Sequence, residues 1–300
     1  MQINDVNHPF AFIAFMVIKA GLHRCQRMIR RSRRTEQQLP AIVAPDLNKP
    51  GILVQLKLSL SKHGHGTAVS PVIFEDLVII LNEHDTGPGY ITALDKATGK
   101  ERWKIERKIE IMTYATPIII EVKGEPQLIN SCLDDGLMGI NPRNGKVLWS
   151  TPGNFDLRTV AMPVHWKGIV YGSCGGGGKG KLMLAVKVGG KGNVSESHIA
   201  WKRQRSLPYV PTPIVCGDHI YLWLDNGIVI CADPKTGEEI WNERVGRGDF
   251  SSSPVCIDGK IYCSSRTGEF TVIKASPKYE LLGRSLLGEA THATPAISNG

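Results

Sequence analysis

Apolar residues along this chain come in short runs, many of them β-branched, cut off by Gly, Pro, Asn and Asp. Pro117–Ile120 is a continuous apolar run, and Pro126–Cys132 mixes apolar and polar residues. Leu137–Ile140 follows, then Lys146–Trp149 after a turn. Runs this short carry neither the length nor the 3.6-residue period of helices, so they predict four strands. The same set of four returns along the chain.

Eleven residues mark each return. Ala93–Trp103, Gly139–Trp149 and Cys231–Trp241 each place Asp or Asn third, Thr-Gly or Asn-Gly in the middle and Trp last. A fourth copy starts at Ala185 and reaches Trp201 through a six-residue insertion, and a fifth, Val272–Leu282, puts Leu where the others have Trp. The starts lie 46, 46, 46 and 41 residues apart. The acidic or amide side chain can cap its own turn, and the glycine supplies the positive φ that a tight hairpin needs. A Trp at the end of the unit can plug the wedge between neighbouring sheets.

A second marker carries the same period. Ser70-Pro71, Thr116-Pro117, Met162-Pro163, Thr212-Pro213, Ser253-Pro254 and Thr294-Pro295 each precede an apolar strand, 46, 46, 50, 41 and 41 residues apart. Pro as the first residue of a strand removes no ladder bond. Four-stranded units of this length predict an all-β propeller; solenoid repeats are shorter, and nothing between the strands is long enough for crossover helices. The expectation is five complete blades between about Ser70 and Leu287 plus a partial sixth, with Trp103, Trp149, Trp201 and Trp241 at blade interfaces. Residues 52–60 and 294–298 should then face each other across the unfinished blade, as in a chain truncated at its C-terminus.

The Ala-x-Asp-x-x-Thr-Gly-x-x-x-Trp pattern resembles the repeat of quinoprotein-like β-propellers, the pyrroloquinoline-quinone repeat superfamily, over about Ile52–Ser298. The stretch His63–Pro71 followed by Asn82-Glu83-His84-Asp85 is similar to a secreted or periplasmic bacterial branch. The resemblance implies a non-catalytic ligand- or protein-binding propeller of the cell envelope. Its partner would be a small anionic or sugar-like ligand or another protein. The alternative is a quinone- or metal-dependent oxidoreductase acting on alcohols or sugars. Enzymatic members carry adjacent cysteines, a calcium shell of Glu, Asn and Asp, and a catalytic Asp, and this sequence has no Cys-Cys pair. Pyrroloquinoline quinone therefore enters by resemblance alone, no other cofactor is indicated, and no catalytic residue is assigned.

Residues 1–50 stand outside the repeat, which occupies 51–300. Phe10–Ile18 is apolar but far short of the roughly 20 residues a spanning helix needs. Six Arg follow it between Arg24 and Arg34, where a secretory signal would have basic residues first, so no convincing signal peptide is present. The segment reads as a disordered or misassigned start, and membrane contact would come only through residues 10–34. It also holds most of the net charge of +8, with eight Lys and Arg against three Asp and Glu. The propeller is nearly balanced, which speaks against a nucleic-acid partner.

Other candidates are weak. The seven cysteines form no C-x-x-C. Cys132, Cys174, Cys231 and Cys263 read as small buried hydrophobes, Cys25 lies in the leader, and Cys216 and Cys256 occupy near-equivalent places that repeat an environment rather than form an obvious pair. Gly175–Lys181 approaches a phosphate-binding loop, but Leu182 lacks the magnesium-binding hydroxyl and a strand follows, so it reads as a hairpin loop. Asn82–Asp85 reads as turn chemistry. His63 and His65 could hold a metal with His292, yet third and fourth ligands cannot be placed, and no metal site is assigned.

The segments leading into each Pro marker ring one mouth of a propeller channel. They hold His63, His65, Tyr114, Arg158, Tyr209, Asp249 with Phe250, and His292, one polar or aromatic group per blade. Converging groups of this kind make a ligand site, with Arg158 as the anchor for a carboxylate or phosphate. Asp156 is the neighbour that could instead occupy Arg158.

Overall fold

The computed structural model describes residues 38–43, 52–57, 69–83 and 88–297. Strands β1 (Gln38–Val43) and β2 (Ile52–Lys57) pair antiparallel, so this hairpin straddles residue 50, where the repeat begins in sequence. The other sheets are the five blades of a β-propeller, each a run of four antiparallel strands.

Blade one is β3 (Val72–Phe74), β4 (Leu77–Asn82), β5 (Gly89–Asp95) and β6 (Glu101–Arg107); blade two is β7 (Ile118–Val122), β8 (Glu125–Cys132), β9 (Gly136–Ile140) and β10 (Val147–Ser150). Blade three is β11 (Val164–Trp166), β12 (Ile169–Gly176), β13 (Lys179–Lys187) and β15 (Ile199–Arg203), and the short β14 (Gly192–Asn193) between β13 and β15 in sequence joins the sheet of blade two. Blade four is β16 (Ile214–Cys216), β17 (His219–Trp223), β18 (Ile228–Ala232) and β19 (Glu239–Arg244), and blade five is β20 (Val255–Ile257), β21 (Lys260–Ser264), β22 (Glu269–Lys274) and β23 (Leu281–Leu286). The chain divides into two compact units, Met1–Thr116 with Asn141–Lys146, and Pro117–Ile140 with Val147–Gly300.

The eleven-residue repeat is a turn built to be gripped. Asp95 Oδ1 accepts hydrogen bonds from the amides of Ala97 and Thr98, and Asp233 Oδ1 does the same for Lys235 and Thr236. The glycines that follow take positive φ, 72° at Gly99, 75° at Gly145 and 74° at Gly237. In the first unit the Trp103 indole N–H donates to the Pro142 carbonyl at 2.9 Å, and a Cβ on Gly145 would lie 2.7 Å from its ring. In the second unit Trp201 donates to Pro234 and Trp241 to Ser276, both at 3.0 Å, and Gly237 lies against Trp201 as Gly145 does against Trp103. Each of these tryptophans thus grips the turn of the following repeat. Tyr171 and Tyr221 send their hydroxyls to the same two carbonyls.

Trp149 departs from this rule, because the insertion displaces the turn it would grip. Its indole N–H donates to Gln127 Oε1 in its own blade at 2.9 Å, and a Cβ at Gly139 would fall inside its ring. The insertion folds back as β14, which pairs parallel with Trp149 and Ser150 and buries Val194 in the core between blades two and three.

The fifth repeat is one residue out of step with its reading from sequence. Trp103, Trp149, Trp201 and Trp241 pair with Ala93, Gly139, Ala185 and Cys231, but the partner of Val272 is Gly283 rather than Leu282. One extra turn residue causes the shift, and a Cβ on Gly283 would meet nothing within 4 Å. Blade five carries no wedge.

The Pro markers also do more than start strands. Met162, Thr212 and Ser253 donate their amides to the hydroxyls of Thr212, Ser253 and Thr294, at 3.1, 3.0 and 3.1 Å. Within the first unit Ser70 does the same to Thr116 at 3.0 Å. Residues 291–297 form no strand, so the start expected for a sixth blade is present as this hydrogen bond alone; Ser298 lies outside the described residues. The glycine loop is the hairpin expected of it, β12 turning into β13 through Gly177 and Gly178 at φ of 60° and 76°.

Cys216 of β16 and Cys256 of β20 form a disulfide, with Cα atoms 6.2 Å apart. Their near-equivalence, read from sequence as a repeated environment, is what makes them partners, because equivalent edge strands of consecutive blades run side by side. Cys132, Cys174, Cys231 and Cys263 are free and buried, while Cys25 lies outside the described residues.

Two measurements test this packing. Gly217 and Gly237 both have positive φ, 63° and 74°, but only at Gly237 would a Cβ meet an indole ring, while at Gly217 the Trp166 indole reaches the carbonyl and leaves the Cβ position open. Alanine should cost about 1 kcal/mol at Gly217 for its backbone conformation and about 2 kcal/mol more at Gly237 for overpacking; equal losses in denaturant unfolding would refute the grip. The disulfide closes a loop with a sequence separation of 40, so replacing both cysteines by Ser should lower stability by about 3 kcal/mol.

Candidate functional site

Five of the residues expected at the mouth, Arg158, Tyr209, Asp249, Phe250 and His292, lie in the second unit, on the loops that lead into the Pro markers. Arg158 is half-buried, near enough to the Tyr209 hydroxyl for its charge to act on it. Asp156 does not compete for it, being paired with Lys181. Among the described residues Arg158 forms no ion pair. Tyr209 rests against the β12–β13 hairpin, where a Cβ on Gly175 would approach its ring to 2.8 Å, so the glycine-rich stretch gives this loop room to pack. Burial raises the Tyr209 hydroxyl above its ordinary pKa, with Arg158 working in the opposite direction.

Asp249 is exposed and 3.9 Å from the Arg266 guanidinium, and the Arg266 backbone amide donates to the Asp249 carbonyl at 2.8 Å. His292 is exposed, next to Thr291, whose amide donates to the Arg266 carbonyl at 3.2 Å. Tyr114 belongs to the first unit, where its hydroxyl contacts Met112 Sδ at 2.7 Å. His63 and His65 lie outside the described residues, as do His84 and Asp85.

Two expectations need correction. Phe250 is fully buried, its ring centroid 5.6 Å from that of Trp223, with Gly227 and Gly246 beneath it. It is a core residue. Glu83 is not a turn former either. Its carboxylate is fully buried at the end of β4 and pairs with Arg107 at 3.0 Å. Glu83 continues the wholly buried run of β4 and Arg107 ends the alternating β6, a partnership that the loop-like string Asn-Glu-His-Asp conceals.

Asp225 and Arg266 were missed by sequence. Asp225 Oδ2 accepts the Tyr209 amide at 2.7 Å and Oδ1 that of Val210 at 3.2 Å, while its carbonyl accepts the Phe250 amide at 2.7 Å. Burial pushes its carboxyl above the ordinary range, and these amides and Arg266 oppose the shift. A signal for both existed: Asp134-Asp135-Gly136, Asp225-Asn226-Gly227 and Arg266-Thr267-Gly268 put a charged residue at the same place in the turn after the second strand.

Residues 54–243 match the family model described as outer membrane protein assembly factor BamB. The chain belongs to this family. Among curated BamB relatives, the protein from Nitrosomonas eutropha is 25% identical over 251 residues, covering 71% of this chain and 58% of its own. The glycerol dehydrogenase large subunit of Gluconobacter thailandicus is 24% identical over 169 residues, 55% of this chain and 20% of that one. The chain therefore spans little more than half of one and a fifth of the other. The solved structure of BamB from Moraxella catarrhalis aligns with a TM-score of 0.54 at 14% identity, over 75% of this chain and 62% of that one. The quinohemoprotein alcohol dehydrogenase of Comamonas testosteroni aligns with a TM-score of 0.53, also at 14%, over 74% and 43%. These likenesses establish the propeller and the family.

Within this BamB-family propeller the lead-in cluster joins Arg158, Tyr209, Asp225, Arg266 and Asp249 through alternating charges and hydrogen bonds. It offers donors for an acidic group. Burial raises the thiols of Cys231 and Cys263 to about 11 and about 12, which leaves them protonated and unreactive at neutral pH. Among the described residues no three His, Cys, Asp or Glu side chains group to hold a metal ion.

The Glu83–Arg107 pair makes a stability prediction. Arg107→Ala removes the cation paired with a buried carboxylate and should cost about 3 kcal/mol, whereas replacing both residues with apolar ones of similar volume should cost far less. Denaturant unfolding of the single and double variants decides it.

Proposed function

We propose that this chain is a non-catalytic, protein-binding propeller of the cell envelope, acting in outer-membrane protein assembly as the name of its family describes. The lead-in cluster of the second unit would dock an acidic segment of the partner. The observation that carries this reading is Arg158: it is half-buried, lies near Tyr209, and forms no ion pair among the described residues. A guanidinium so placed has donors for a planar, two-oxygen contact with a carboxylate. The half-buried Cys216–Cys256 bridge supports an extracytoplasmic setting, since disulfides persist in oxidising compartments. His292, in the same unit, remains a candidate for the same site.

Fluorescence anisotropy with a short labelled Asp/Glu-rich peptide, against its Asn/Gln twin, tests the docking reading. The acidic peptide should bind more tightly, and Arg158→Ala should weaken it about tenfold, roughly 1.4 kcal/mol, without changing the far-UV circular dichroism. Equal affinity for the two peptides would count against the site. The quinoprotein alternative draws on the dehydrogenase relatives. Titration with pyrroloquinoline quinone and calcium should give no saturable absorbance change; uptake with dye-linked alcohol oxidation would reverse the assignment.

A further inference from the structure

Asp225 stands at a junction between two loops of the second unit. It sits in the turn between β17 and β18, closed by the Gly227 amide on the Leu224 carbonyl at 3.0 Å and the Leu224 amide on the Ile228 carbonyl at 2.8 Å. This turn belongs to the rigid body of blade four, with Trp223 and Phe250 buried beneath it. From that support Asp225 holds two loops at once. Its carboxylate takes the Tyr209 and Val210 amides of the loop entering its own blade, and its backbone carbonyl takes the Phe250 amide of the loop entering the next. One loop presents Tyr209 to Arg158, and the other carries Asp249 beside Arg266.

A loop with few partners of its own needs such a peg, because backbone amides left unpaired in a half-buried place are costly. Two adjacent amides on one carboxylate fix both the position and the direction of the chain at Tyr209. Resting on the docking reading above, we propose that Asp225 is the positioning residue of the site: its carboxylate holds the Tyr209–Val210 backbone so that Tyr209 orients the Arg158 guanidinium for an acidic partner. Asp225 does not touch the partner, and its own negative charge, directed at the amides and facing Arg266, acts through the loop.

The two kinds of hydrogen bond on Asp225 allow a test that a general loss of fold cannot imitate. Substitution of the side chain removes the Tyr209 and Val210 contacts but leaves the backbone contact to Phe250. The lost acceptor leaves two backbone amides unpaired, so the denaturant midpoints of Asp225→Asn and Asp225→Ser should fall slightly, while the transition stays cooperative and its slope unchanged. Hydrogen exchange, read by mass spectrometry with residue-level fragmentation, should show protection lost about tenfold at Tyr209 and Val210 and retained at Phe250. The affinity for the acidic peptide should fall to that of Arg158→Ala. Unchanged exchange at Tyr209 and Val210 in both variants would overturn the positioning role, as would loss at all three amides. Lost protection with undiminished affinity, when Arg158→Ala does weaken binding, would also overturn it. If Arg158→Ala itself leaves affinity unchanged, the docking reading fails, and the exchange pattern alone decides whether Asp225 holds the loop.

Discussion

The structure depends on a grip between an indole and a turn. Trp103, Trp201 and Trp241 each donate their N–H to a carbonyl in the turn of the following repeat, at 2.9, 3.0 and 3.0 Å. Two of those turns present a glycine to the indole face, Gly145 to Trp103 and Gly237 to Trp201. One contact combines a large buried aromatic surface with a directional hydrogen bond, so it sets both the spacing and the register of neighbouring sheets. The Asp cap, the positive-φ glycine and the terminal Trp are therefore parts of one joint, and the 46-residue period is the repeat of that joint.

Where the joint is altered, the neighbouring structure changes in kind. An insertion removes the turn that Trp149 would grip, so the indole turns onto Gln127, glycine replaces a side chain at position 139, and the inserted residues return as β14 against β10. In blade five one added residue puts Gly283 where the wedge would be. The two seams that join blade four to its neighbours are reinforced differently, by the Thr212 and Ser253 hydroxyls and by the Cys216–Cys256 bridge. The loops that lead into each blade carry residues the joint does not use.

Much of this was legible in one dimension. The four-strand unit, the five blades, the turn chemistry at Asp95 and Asp233, the hairpin character of Gly175–Lys181 and the burial of four cysteines follow from local preference and periodicity, which act between residues close in the chain. Arg158 and Tyr209 were also legible as neighbours, because a period in sequence becomes adjacency in a repeat fold. Phe250 was misplaced among them: a lead-in loop alternates between outward and inward residues, and the alternation is set by what packs below.

What tertiary structure alone decided are the pairings between distant positions. Asp156 could be assigned to Arg158 or to Lys181 only once the hairpin was placed. Glu83 with Arg107, and Cys216 with Cys256, are pairs whose members each look ordinary in their own stretch. Asp225 is the sharpest instance, a turn residue by every local criterion that becomes the anchor of two loops because consecutive blades bring those loops to it. Sequence determines the repeating unit, since its turns and strands are stabilised over a few residues. The functional edge is decided by contacts between units, whose geometry depends on side-chain size and on single insertions that no short-range rule records.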